Sequence, residues 1–197
     1  MRFFYKKNID NYFKLVVWMI DKKIDWLEKN TFFESQEYKK IKNLKRKKEW
    51  LGSRYLLQRI SNYKKINYSK SGKPLIKKGN ISISHSEGLV GICISKKNVS
   101  IDIQKIKEKI NLIENKFIND FELSQVKTQN PKIINTIIWT IKEAVCKYLD
   151  NKKINFKNEI LIEKINTKQK FAFVYTKKRI LKVNFELQKN YIITYII

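Results

Sequence analysis

Three short apolar segments separated by tight turns lie between Ile81 and Gln104, and they constrain the fold more than any other feature of the chain. Ile81 to His85 alternates apolar and polar residues, as a half-buried strand does. Ser86-Glu87-Gly88 is a turn, and Leu89 to Ser95 is a second strand, so the pair reads as a hairpin. Lys96-Lys97-Asn98 is another turn. Val99 to Gln104 follows as a third strand. Val99, Ile101 and Ile103 lie on one of its faces; Ser100, Asp102 and Gln104 share the other, because strand side chains alternate.

Helical patterns flank this block. Asp21 to Lys29 is a short one, with Ile24 and Leu27 at helical spacing, after a buried strand from Leu15 to Ile20. A long helix is predicted from about Ser35 to Tyr63. Leu44, Leu51 and Tyr55 form one stripe of it, and Lys48 lies on the same stripe, at the edge of the buried surface. Ser69 to Pro74 is a Gly/Pro turn. Asn111 to Phe117 and Glu122 to Val126 have helical patterns. Pro131 opens a strong helix to about Leu149, a favoured place for proline. Phe171 to Tyr175, Arg179 to Leu187 and Tyr191 to Ile197 are predicted strands. The order predicts an α+β protein of two similar lobes, each a small, mostly antiparallel sheet packed with helices. The boundary is expected near the Lys96–Asn98 turn, giving lobes 1–97 and 98–197.

Composition narrows the function classes. At 43% hydrophobic residues over 197 positions, the chain can bury a real core, which a disordered chain cannot. No apolar run approaches the roughly 18 residues of a membrane span. Met1 to Asn11 lacks the layout of a signal peptide, so a cytoplasmic location is expected. Cys93 and Cys146 form no CxxC, and His85 is the single histidine, which argues against a zinc site of the usual Cys/His kind. The net charge of +25 implies anionic partners: nucleic acid, phosphorylated small molecules or an acidic protein. Only five of the 43 basic residues are arginine, and the abundance of lysine, asparagine and isoleucine also suits a compositional bias.

Several residues could carry chemistry. On the 131–149 helix, Trp139, Glu143 and Lys147 recur every four residues and share a face apart from the stripe Ile133, Ile137, Ile141, Ala144 and Tyr148. Alone they could be an exposed Glu–Lys pair beside a tryptophan. Asp102 and Gln104, two apart on one strand face, could reach one hard cation, or could simply face solvent. Ser84-His85-Ser86 ends a strand at a turn, where hydroxyls, imidazole and amides can hold a phosphate. Gly72-Lys73-Pro74 offers a cation in a fixed turn. Lys48 and Arg54 belong to a stretch, Gln36 to Lys65, with eleven basic and two acidic residues.

The order of these pieces, GKPLI, ISISHSEGLVGICIS, VSIDIQ and WTIKEAVCKYL, resembles the 4′-phosphopantetheinyl transferase superfamily, in its larger, monomeric, two-lobed type. The stretch LKRKKEWLGSRYLL resembles the basic helix that precedes the GKP turn in that family. The resemblance implies that coenzyme A binds between the lobes, with Lys48, Lys73, Ser84 and His85 on its phosphates. Asp102 and Glu143 would hold magnesium, with Gln104 or water completing the shell. Glu143 would act as base and Lys147 would stabilise phosphate charge. The partner implied is an acidic acyl or peptidyl carrier protein. Ser100 stands where the family usually has glycine and Gln104 where it usually has glutamate, although the family varies at that third ligand. Two other readings stay open: a basic nucleic-acid-binding protein, which would use aromatics such as Tyr38, Trp50, Tyr55 and Tyr63, and a coenzyme A-binding but catalytically weak member of the family.

Overall fold

The computed structural model describes residues 2–9, 12–125, 130–177 and 179–197. Met1, Asp10 and Asn11 of the N-terminal segment and Val126 of a predicted helix lie outside these. The chain forms two compact units, Met1–Val99 and Ser100–Ile197. Each is an antiparallel sheet with helices, an α+β architecture as expected.

In the first unit the elements run β1 (Phe3–Asn8), β2 (Lys14–Met19), α1 (Ile24–Asn30), α2 (Ser35–Lys40), α3 (Leu44–Ile60), β3 (Asn67–Tyr68), β4 (Pro74–Leu75), β5 (Asn80–Ser86) and β6 (Leu89–Ser95). The sheet order is β1-β2-β6-β5-β4-β3. The β5–β6 hairpin turns on Glu87 and Gly88 at φ 42° and 86°; positive φ at both central residues matches the twist of the flanking strands. Helix α3 packs on α1 and β6. It approaches closely at Gly52, where an added Cβ would lie 2.7 Å from the Ile20 side chain. Val16, Trp18, Leu27, Leu51, Leu56, Ile81 and Ile92 fill the core beneath it.

The single helix expected from Ser35 to Tyr63 is two helices. The chain breaks at Ile41–Asn43, because the Asn43 side chain accepts a hydrogen bond from the Arg46 amide at 3.0 Å and caps α3. Leu44, expected in the buried stripe, is 70% exposed at the first position of that helix. Tyr38 and Tyr55 are buried in the core, with the Trp50 ring tilted against Tyr38, centres 5.6 Å apart. Three of the aromatics that favoured nucleic-acid binding are therefore engaged in packing.

The second unit contains β7 (Ser100–Lys105), a 3-10 segment (Glu108–Lys116), α4 (Asp120–Ser124), α5 (Pro131–Leu149), β8 (Ile160–Asn166), β9 (Phe171–Thr176), β10 (Arg179–Gln188) and β11 (Tyr191–Ile196). The strands are ordered β7-β11-β10-β9-β8, and α5 packs across β7 and β11. Asn130 caps α5 and Pro131 opens it. Trp139 anchors one flank, edge-on to Phe117 with ring centres 5.0 Å apart. On another flank Lys142 is fully buried. Its ammonium donates to Glu122 at 2.7 Å and to the Phe156 carbonyl at 2.8 Å. Glu122 in turn accepts the Ile162 amide at 2.8 Å and closes the capping box of α4 with Asn119. This ion pair ties α4, α5 and β8 together.

Candidate active site

Strand β7 and helix α5 bring together the candidate site residues of the second unit. Asp102 is 6% exposed, so it is not the solvent-facing residue of a half-exposed strand. It stands opposite Thr194 of β11, whose hydroxyl donates to Thr140 of α5 at 2.8 Å. That buried contact fixes the helix over the strand pair beside the carboxylate. Lys147 reaches down from α5. Its ammonium donates to Asp102 Oδ1 at 2.7 Å and to the Ile101 carbonyl at 3.2 Å. Its anionic partner is thus on the strand, not the glutamate four residues earlier on its own helix.

Glu143, one turn before Lys147, is half-buried. Its pKa is held above the usual carboxylate range, first by burial and then by the charge of Asp102, with Lys147 pulling it back. Asp102 and Glu143 therefore sense each other across the strand–helix contact. Gln104, half-buried, lies two residues further along the same face of β7, opposite Ile192. Carboxylates and an amide are hard oxygen donors. The repulsion that raises Glu143 is what a divalent cation relieves. Among the described residues no cluster of three or more His, Cys, Asp or Glu occurs. The donor types are those of a hard cation, and magnesium commonly uses only one or two protein carboxylates and keeps several waters.

In the first unit Ser84 and His85 sit near the end of β5, opposite Gly91 and Val90. Ser84 is buried and His85 half-buried. Lys73 lies in the β3–β4 turn, where its carbonyl accepts from the Ser69 amide at 2.9 Å. Its ammonium donates to Asn98 Oδ1 at 3.2 Å. Lys48 is half-buried on α3. A pocket of about 180 Å³ is lined by Arg46, Trp50, Arg54, Gly72 and His85, among others; Lys48, Lys73 and Ser84 lie outside its lining. Among these, Arg54 is the residue whose place the sequence pattern did not reveal. It is 4% exposed, hidden in a run of basic residues whose inward member periodicity does not mark.

Asp102, Glu143 and Lys147 thus meet at one strand–helix contact of the second unit. The chain belongs to the 4′-phosphopantetheinyl transferase superfamily, whose family model matches residues 98–196, and is thus a transferase. That span contains β7, α5 and the whole Asp102–Glu143–Lys147 cluster. A search of curated proteins returned no match.

Proposed function

We propose that this chain transfers the 4′-phosphopantetheine group of coenzyme A to a serine of an acidic acyl or peptidyl carrier protein, releasing 3′,5′-ADP. The observation that carries the reading is the cluster of Asp102, Glu143 and Lys147 within the region matched by the family. Asp102 and Glu143 would hold magnesium, with Gln104 or water beside them. When bound, the ion supplies charge neutralisation and orientation for the diphosphate. Glu143, directly or through a water, accepts the proton of the attacking serine. Lys147 donates to phosphate oxygens as charge develops. Lys48, Lys73, Ser84 and His85 bind the phosphates of coenzyme A. The serine oxygen bonds to the β-phosphorus, the bond to the 3′,5′-ADP oxygen breaks, and the electron pair leaves with that product. Phosphoryl transfer needs positioning and charge neutralisation rather than an enzyme nucleophile, which accords with a centre that uses no cysteine.

The test is incubation of the purified protein with coenzyme A, magnesium and an apo carrier protein. The carrier should gain one phosphopantetheine on serine while 3′,5′-ADP appears. A carrier of unchanged mass, together with tight binding of an oligonucleotide, would favour the nucleic-acid reading that the charge of +25 leaves open.

A further inference from the structure

Strand β9 carries an aromatic residue at every second position, Phe171, Phe173 and Tyr175, so all three lie on one face of the second sheet. Between them Ala172 and Val174 point the other way, into the core they share with Ile141, Ala144 and Val145 of α5. Phe171 and Phe173 are half-buried, and Tyr175 is 40% exposed. The strands on either side extend the pattern, because residues directly opposite in an antiparallel pair share a face. Phe173 lies between Lys164 of β8 and Lys182 of β10, and Tyr175 between Leu161 and Ile180. Both lysines and both aliphatic residues are exposed. The Lys182 ammonium sits 4.9 Å from the centre of the Phe171 ring. Phe171 and Phe173 meet edge-to-face, with centres 5.3 Å apart.

The charge around this face is one-sided. Residues 160–188 include seven basic side chains and two acidic ones. One of the acids, Glu186, is bonded by Lys170 at 2.8 Å. The other, Glu163, stands at the register shift of β8. A second copy of the chain would bring like charges together on this face, which opposes self-association. The partner that fits is anionic and carries flat rings of its own. Spacing decides its form. Alternate residues of a strand are about 6.8 Å apart, twice the rise of about 3.4 Å between stacked bases in one strand of a duplex. Rings so placed match bases that have been splayed apart, as single strands allow and duplexes do not.

We propose that the β8–β9–β10 face binds single-stranded nucleic acid, with Phe173 and Tyr175 stacking on bases and Lys164 and Lys182 meeting the phosphates. The inference goes beyond the transfer reaction proposed above and does not rest on it. The overall charge attracts any polyanion; what this face adds is a preference for unpaired bases. Its rings are distinct from Tyr38, Trp50 and Tyr55, which are engaged in packing.

The measurement is the fluorescence anisotropy of a labelled oligothymidylate, and of a duplex with the same number of phosphates, titrated with the full chain. Tyr175→Ser should weaken single-strand binding about 5- to 150-fold, the loss of one base–aromatic stack, and leave duplex binding unchanged. Lys182→Gln should make the fall of log K with log salt shallower by about 0.7, as one lost phosphate contact does. Ultraviolet cross-linking of the parent to oligothymidylate should label the 171–177 peptide, which trypsin releases whole. Equal losses on both probes in Tyr175→Ser, or parent-like binding of both, would overturn the inference. If that variant does not fold, cross-links in the parent that avoid 171–177 would overturn it. Poly-glutamate should bind the parent and Tyr175→Ser alike; an affinity for it that depends on Tyr175 would assign the face to an acidic protein instead. Failure of the parent to bind oligothymidylate would also sink the inference, and would leave the transfer reaction standing.

Discussion

Glu143 is disfavoured as an anion twice, by burial and by Asp102, and both effects bear on function and stability. Its folded pKa lies above its unfolded one, so the native state holds the proton more strongly. Its contribution to stability is intact below the unfolded pKa and is lost as pH rises through the folded one. Glutamine does not ionise. Metal-free Glu143→Gln should therefore melt above the parent at neutral pH, and the two should converge at about pH 4, near the ordinary carboxylate pKa. The same substitution should cost turnover about 10²–10⁴-fold by removing the base. Thermal melts across pH and initial rates check the two halves independently. Ser100 carries a smaller cost. It is fully buried on the face shared with Asp102, and its hydroxyl has no hydrogen-bond partner among the described residues. Ser100→Ala should stabilise the protein by about 1–3 kcal/mol, the usual penalty for burying such a group, readable as a shifted denaturant midpoint. At Gln104 an added charge should tighten the proposed cation site. Gln104→Glu is expected to lower the magnesium concentration for half-maximal turnover, and Gln104→Ala to raise it modestly. If both match the parent, water fills that position.

At the scale of elements, the buried Lys142–Glu122 pair holds α5 to α4 and β8. Removing one partner leaves an uncompensated buried charge, which costs about 3–5 kcal/mol. Lys142→Met should therefore destabilise the protein by that much in urea, although the ammonium touches neither Asp102 nor Glu143 in the bonds above. The β5–β6 hairpin and α5 were legible in the sequence because alternation, a Glu-Gly turn and a proline start each point to one element. Strands β1 and β8 were not. FFYKKN has no clean alternation, and β8 carries a register shift between Ile162 and Lys164 that breaks its period. The split between α2 and α3 depends on a single cap, Asn43. In the candidate site, residue types and spacing singled out Asp102, Glu143 and Lys147, whereas the pairing of Lys147 with Asp102 needed the strand–helix packing. Lys142 escaped because the four-residue recurrence of Trp139, Glu143 and Lys147 drew the reading to a different flank of α5.

For the whole molecule, the charge of +25 should speed encounter with an acidic carrier protein. Steering of this kind is screened over about 8 Å at physiological ionic strength. The kcat/KM for the carrier should therefore fall across a salt series at fixed magnesium, while kcat changes little; a flat response would mark the lysines as compositional background. The central claim is that the transfer chemistry resides on Asp102 and Glu143. Its most direct test is the rate of 3′,5′-ADP release at saturating coenzyme A and carrier protein, in the parent and in Asp102→Asn, across a magnesium titration. The account predicts magnesium-dependent release by the parent and a loss of on the order of 10²-fold or more in Asp102→Asn, with the variant still folded. Parent-like release by folded Asp102→Asn, or release by the parent that ignores magnesium, would contradict it.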